Sequence, residues 1–296
     1  MSEKILEKST INWYPGHMHK AKKELAKKLK SIDIVLEMRD ARIPISSVNH
    51  DLEEMLNQKK RILIFNKTGL ADDKITKKWN LIFSNYNIPF LFIDSLKKTD
   101  LAKILPLARS MMKLKWSTFY SKGIVPPSLK LMIVGIPNVG KSSLINRLSK
   151  RKATEIGPNP GVTKHQDWIK LDEKVELLDT PGILWPKIKN YELGLRLSIT
   201  GAIKDSIVGT TKLSFFLLSI LKTSKPKKLE RFYKLSLSDM DLAPVDLMKK
   251  IAEKRGCLKK GGTIDLPRAE SMLLRDFRTG KLGRLSFDIP RKNEFY

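Results

Sequence analysis

The run Gly135-Ile136-Pro137-Asn138-Val139-Gly140-Lys141-Ser142 has the residue types and spacing that hold phosphate: a glycine, four intervening residues, then Gly-Lys-Ser. The apolar stretch Leu129 to Val134 precedes it and a helical pattern from Ser143 to Leu148 follows, so the context is strand, loop, helix. In that context the backbone N–H groups of Val139, Gly140, Lys141, Ser142 and Ser143 point at phosphate oxygens, aided by the positive end of the helix dipole. Lys141 bridges the terminal phosphates as the catalytic cation, and the Ser142 hydroxyl ligates Mg²⁺.

Three further segments complete a nucleotide site. Asp179-Thr180-Pro181-Gly182 ends a second strand-like run, Val175 to Leu178, where a Mg²⁺-linked carboxylate and the switch II glycine, Gly182, belong. Thr163 closes a Gly/Pro/Asn-rich loop that a γ-phosphate can order through a threonine contact to Mg²⁺. Asn66-Lys67 follows the apolar run Arg61 to Phe65 and matches the start of a guanine-reading Asn-Lys-x-Asp motif. The series therefore runs base, phosphate, switch I, switch II, the order of a circularly permuted GTPase. Ser95-Leu96-Lys97 resembles the accessory loop whose backbone N–H meets guanine O6.

The base motif is incomplete. Its fourth residue is Gly69 instead of the aspartate that accepts hydrogen bonds from guanine N1–H and the 2-amino group. Asp72 and Asp73 are the candidate replacements nearby, and Gly69→Asp is expected to tighten GDP and GTP without changing ATP. Each hydrogen bond to a charged group contributes about 1.5–3 kcal/mol, so guanine selectivity is open.

Together with Asn12-Trp13-Tyr14-Pro15-Gly16-His17-Met18, Asp40-Ala41-Arg42-Ile43-Pro44 and Phe277 to Arg284, these motifs make the whole chain resemble the ribosome-biogenesis GTPase A family. The resemblance implies a GTP hydrolase acting in late maturation of the large ribosomal subunit, gripping precursor particles in the GTP state and released after hydrolysis. The position after the switch II motif, where Ras-like enzymes carry a water-positioning glutamine, holds Ile183. In the family the histidine of Pro-Gly-His-Met substitutes, which carries over to His17. Asn138 occupies the position that accompanies K⁺-stimulated hydrolysis in related GTPases; its other reading is a residue that shapes the loop.

Composition fits a polyanionic partner. Lys and Arg total 57 against 31 Asp and Glu, a formal net charge of +26. RNA is preferred to DNA because no DNA-reading motif occurs, and rRNA of a precursor particle offers phosphate throughout. The apolar stretch Leu213 to Leu221 is too short to span a bilayer, so no membrane partner is expected. The charged segment Met1 to Thr10 is not a secretory signal, and one cysteine, Cys257, read as a bystander, excludes an internal disulfide. A cytoplasmic monomer is expected. Two other functions fit the motifs: an rRNA- or ribosome-binding assembly factor with relaxed nucleotide specificity, and a signalling GTPase acting on protein partners.

The elements that must position these residues alternate. Strand patterns at 32–36, 61–65, 90–93 and 131–134 are separated by helical patterns at 72–83 and 101–112. This is the signature of an α/β fold with a mostly parallel sheet and helices on both faces, binding ligands at the carboxyl ends of its strands. From Thr211 onward only helical patterns occur, at 213–221, 229–235, 245–254 and 266–277. The expected organisation is a permuted GTPase domain over 1–204 and a small, basic, all-helical RNA- or ribosome-binding domain over 205–296.

Overall fold

The computed structural model describes residues 11–12, 17–149, 168–180, 182, 187–188 and 190–290. They form two compact units. One runs from His17 to Lys187 and takes in Leu285 to Pro290; the other comprises Ile11–Asn12 and Ile188–Arg284.

The first unit is built on a six-stranded sheet. Its strands are β1 (Ile34–Asp40), β2 (Lys60–Asn66), β3 (Phe90–Phe92), β4 (Leu129–Gly135), β5 (Trp168–Asp172) and β6 (Val175–Leu178). Their spatial order is β3-β2-β1-β4-β6-β5. All neighbours are parallel except the β5/β6 pair at one edge. The central strands are apolar on both faces: Val35, Leu63, Phe65, Met132 and Val134 are buried, and so are the alternate residues Ile34, Leu36, Met38, Ile62, Ile64, Leu131 and Ile133. A parallel sheet needs that, because crossover helices cover both sides.

Helix α1 (His17–Leu29) and α2 (His50–Leu56) place Leu25, Leu29, Leu52 and Leu56 over Val35, Met132, Val134 and Leu178. Helix α3 (Asp73–Phe83) lays Trp79 and Phe83 against Leu63 and Phe65, where Phe65 and Phe92 stack at 4.4 Å. The single helix expected over 101–112 is divided into α4 (Lys98–Leu101) and α5 (Ile104–Ser110), followed by α6 (Lys113–Tyr120). Pro106 explains the break: it has no N–H to return to the preceding turn and is tolerated only in a first turn. Helix α7 (Lys141–Leu148) follows β4 directly.

Strand order fixes where a ligand binds. The chain builds outward from β1 to β2 and β3, then returns to β4 and builds toward β6 on the opposite side. The switch point therefore lies between β1 and β4, and the crevice beyond their carboxyl ends is the binding site of an open α/β sheet.

The second unit is helical: α8 (Tyr191–Ile199), α9 (Asp205–Val208), α10 (Thr210–Ser224), α11 (Pro226–Tyr233), α12 (Pro244–Lys254) and α13 (Leu266–Arg278). Leu213, Leu217, Leu221, Leu247, Ile251, Leu273 and Leu274 line its core. Tyr233 donates its hydroxyl to Asp276 at 3.1 Å. Cys257 is buried and has no cysteine to pair with.

The division between units falls after Lys187, earlier than the boundary expected after Lys204. Arg278 shows why. It donates to the carbonyls of Ser198 (2.8 Å) and Ile199 (3.0 Å) and pairs with the Asp205 carboxylate at 2.6 Å, so the chain on both sides of Lys204 is held by the last helix. The end of the chain differs too. From Leu285 it belongs to the sheet-bearing unit: Leu285 N–H donates to Leu70 O (3.0 Å), Phe287 N–H to Arg42 O (2.8 Å), and Trp79 Nε1 to Asp288 O (2.9 Å). No described helix is long and apolar enough to cross a membrane.

Candidate nucleotide site

The phosphate loop grows out of β4. Gly140 caps α7 with φ +106°, and a Cβ there would lie 2.4 Å from Asn66 Nδ2. Glycine is therefore required both by the left-handed backbone and by the close approach of the base motif. Asn138 is also left-handed, at φ +56°, a conformation asparagine tolerates better than most residues. Its loop-shaping role thus has a direct structural basis.

The base motif and the phosphate loop are bonded together. Asn66, buried at the end of β2, donates from Nδ2 to Val139 O (2.9 Å) and accepts at Oδ1 from Ser95 N–H (3.0 Å). Lys67 reaches from the same turn to Asn138 O (2.5 Å) and to Asp40 Oδ2 (3.1 Å). Residues separated by about seventy positions in sequence thus share one crevice, and the permuted order carries no spatial penalty.

Asp40 is the hub of this junction and had no assigned role in the sequence. It ends β1 at 1 % exposure, and its carboxylate takes a bidentate pair from Arg42 Nε (2.9 Å) and Nη2 (2.7 Å). Burial pushes its pKa up, but the charges of Arg42 and Lys67 outweigh that and hold it well below the usual carboxylate range.

At the phosphate end, Lys141 is buried and its ammonium donates to Gly135 O (3.1 Å) and Ile136 O (3.0 Å). Burial lowers its pKa to about 8, opposed by the nearby Asp179 charge and reinforced by Lys67. Asp179, 1 % exposed just beyond β6, faces the same end of the crevice as the loop, and Thr180 donates to Ile133 O at 2.5 Å to fix the turn. Gly182 completes the approach: a Cβ there would meet Pro137 Cα at 2.8 Å.

The structure thus brings together Asn66, Lys67, Ser95, Asn138, Val139, Gly140 and Lys141 through named bonds, with Asp179 beside Lys141. Ser142 and Ser143 open α7, partly buried. Leu96 is exposed on the accessory loop expected to offer a backbone N–H to guanine O6, and its own N–H donates to Asp94 Oδ1 at 3.0 Å. Thr163 and Ile183 lie outside the described residues, and His17 opens α1 with its side chain outside them.

Parallel sheet, phosphate loop between strand and helix, and a base motif arriving from upstream define a circularly permuted P-loop GTPase. Residues 130–245 match the family profile described as 50S ribosome-binding GTPase. The chain is 45 % identical over 280 residues to ribosome biogenesis GTPase A of Bacillus licheniformis, covering 95 % of this chain and 98 % of that protein. It is 30 % identical over 282 residues to the protein of the same name from Thermotoga maritima, covering 95 % of each. The crystal structure of GNP-bound YlqF from T. maritima superposes with a TM-score of 0.62 at 27 % identity, over 91 % of this chain and 98 % of that one. The chain belongs to the ribosome biogenesis GTPase A family, and it is a GTP-hydrolysing enzyme.

Proposed function

We propose that this protein is an assembly factor of the large ribosomal subunit that binds precursor particles and their rRNA in its GTP state and leaves after hydrolysis. It works as a cytoplasmic monomer. The carrying observation is the crevice at the β1/β4 switch point, where Asn66 and Lys67 clasp the loop that takes the phosphates. Full-length relatives named for ribosome biogenesis support the same reading.

The donor set fits Mg²⁺. That ion takes one or two protein oxygens and leaves its other positions to phosphate and water; the Ser142 hydroxyl and the buried Asp179 carboxylate are such oxygens, with Thr163 as the switch I ligand. Bound there, the ion neutralises charge on the β- and γ-phosphates. Lys141 shares that task, and Asn138 is the residue that would hold K⁺ there. Hydrolysis needs a water aimed at the γ-phosphorus, whose attack breaks the bond to the β–γ bridging oxygen and yields GDP and phosphate. With isoleucine at 183, His17 is the residue that positions this water, and the low basal rate expected rises when the particle brings His17 to the γ-phosphate.

Polyanion contact falls to the helical unit. Lys227, Lys228, Arg231, Lys234 and Lys254 are among its exposed cations, and Arg255 packs its guanidinium 4.5 Å from the centroid of the Phe232 ring. The test is sedimentation with precursor particles. Binding is expected to be tighter with a non-hydrolysable GTP analogue than with GDP, to fall steeply with salt as counterions are released, and to weaken when Lys227, Lys228 and Lys234 are changed to Glu. His17→Ala is expected to slow particle-stimulated hydrolysis by about a hundredfold with nucleotide affinity intact. Equal binding in both nucleotide states refutes the switch.

A further inference from the structure

A guanine site needs a carboxylate facing N1–H and the 2-amino group, and Gly69 stands where the motif would carry it. Of the nearby aspartates, one is engaged in a helix cap and the other is exposed. Asp72 caps α3, its Oδ1 accepting from Lys74 N–H (3.0 Å) and Ile75 N–H (3.2 Å). Asp73 begins the same helix and is exposed.

Another carboxylate lies at the empty position. Asp94 Oδ2 is 2.4 Å from where a Cβ on residue 69 would sit, and its Cγ is 3.5 Å from that point. Standard bond lengths place a carboxylate oxygen about 2.4 Å from the Cβ that bears it, so Asp94 holds an oxygen at the separation an aspartate at 69 would give its own. The backbone at Gly69 is not left-handed; what an aspartate there would meet is the Asp94 carboxylate.

Asp94 is also braced for the role. Thr68 N–H donates to Ile93 O (3.1 Å) and Ser95 N–H to Asn66 Oδ1 (3.0 Å), so bonds on either side of Asp94 tie its segment to the base motif. Its own N–H donates to Asp100 Oδ2 (2.9 Å), and its Oδ1 accepts from Leu96 N–H (3.0 Å). Oδ2 has no hydrogen-bond partner among the described residues. A carboxylate oxygen has more than one acceptor site. Oδ1 can keep Leu96 while it and Oδ2 accept from guanine.

We propose that Asp94 is the guanine-reading carboxylate of this chain, standing in from the accessory loop for the aspartate missing at 69. This deepens the reading of the crevice as a GTP site and rests on it.

The test is equilibrium binding of GDP, ADP and xanthosine diphosphate to the full chain with Mg²⁺. Asp94→Asn keeps an Oδ1 acceptor for Leu96 N–H and replaces Oδ2 with an N–H donor, which suits the 2-oxo group of xanthine and opposes the 2-amino group of guanine. The expected result is a wild type selective for GDP over ADP, and a variant that loses about ten- to hundredfold in GDP affinity, gains xanthosine diphosphate, and binds ADP as before. Gly69→Asp alone should weaken GDP by crowding two carboxylates, and Gly69→Asp with Asp94→Asn should restore it. Unchanged GDP affinity in Asp94→Asn overturns the proposal, as do equal losses for all three nucleotides or a wild type indifferent between GDP and ADP. Sedimentation of Asp94→Asn with a xanthosine triphosphate analogue reports on the assembly role separately. A variant that takes the xanthine nucleotide yet binds precursors equally with and without it refutes the particle switch and leaves Asp94 standing.

Discussion

The two ends of the nucleotide site are made in opposite ways. The phosphate end is one continuous segment, Gly135 to Ser142, whose geometry comes from a strand, a left-handed glycine and a helix start. The base end is assembled from Asn66 to Gly69 after β2, Asp94 to Leu96 after β3, and Asp40 after β1, and no short stretch of it suffices. A contiguous backbone site tolerates almost no substitution, because its shape is its chemistry. An assembled side-chain site can move a functional group from one segment to another, as with a carboxylate carried by Asp94 in place of residue 69.

The junction between the ends is the place to break both at once. Asp40→Ala leaves Arg42 buried with its bidentate partner gone and takes from Lys67 the carboxylate it pairs with. Removing one partner of a buried ion pair costs about 3–5 kcal/mol, so denaturant unfolding should show a loss of that order. The sign with pH follows from the lowered Asp40 pKa. Its contribution is fully present above the ordinary carboxylate value of 3.8 and is lost as pH falls toward the lower folded value. The gap between wild type and Asp40→Ala should therefore narrow in acid; a gap that widens contradicts the role given to Asp40. Lys141→Ala comes next. Loss of a charge-assisted contact to the terminal phosphates should cost about ten- to a hundredfold in affinity, equally for GDP and ADP. A loss confined to guanine nucleotides in a titration of both would erase the distinction between the ends.

The same contrast decides what was legible in the sequence. Strands β1 to β4 and β6 announce themselves as apolar runs, and the phosphate loop, Asp179 and Gly182 are read from local spacing, because there the function depends on neighbours in the chain. Strand β5 alternates too little to stand out: among Trp168 to Asp172 only Ile169 is buried. Asp40 sits in a recognisable Asp-Ala-Arg-Ile-Pro stretch, yet its partnership with Lys67 is a tertiary fact. Asp94 gives no local signal, since an aspartate before an accessory loop reads as a turn residue. Gly69→Asp alone, which the motif leads one to expect to tighten GDP, is instead expected to weaken it, because its Cβ would lie 2.4 Å from Asp94 Oδ2. The return of the chain end is invisible for a similar reason: Leu285-Ser286-Phe287-Asp288 is too short to carry a pattern.

That chain end gives the smallest and most specific test of the comparison, because its bonds run to residues around the base motif. Asp288 accepts from the backbone N–H groups of Ile45 (2.8 Å) and Ser46 (2.7 Å) and from Ser46 Oγ (2.6 Å), fixing the turn that follows Asp40 and Arg42. Ser286 Oγ accepts from Asp72 N–H (3.0 Å) and Leu285 N–H bonds Leu70 O (3.0 Å), so the same segment steadies the residues just past Gly69. Asp288→Ala strips a buried carboxylate from two backbone donors, and an unsatisfied buried donor costs about 1–3 kcal/mol. The expected outcome is a loss of stability of that size, with GDP released faster and ADP affinity nearly unchanged, because the loop that holds the phosphates keeps its own support. Stopped-flow release of a fluorescent GDP beside calorimetric binding of ADP measures the two ends separately. Equal weakening of both nucleotides would mean that the brace acts on the whole sheet and that the two ends are one mechanical unit.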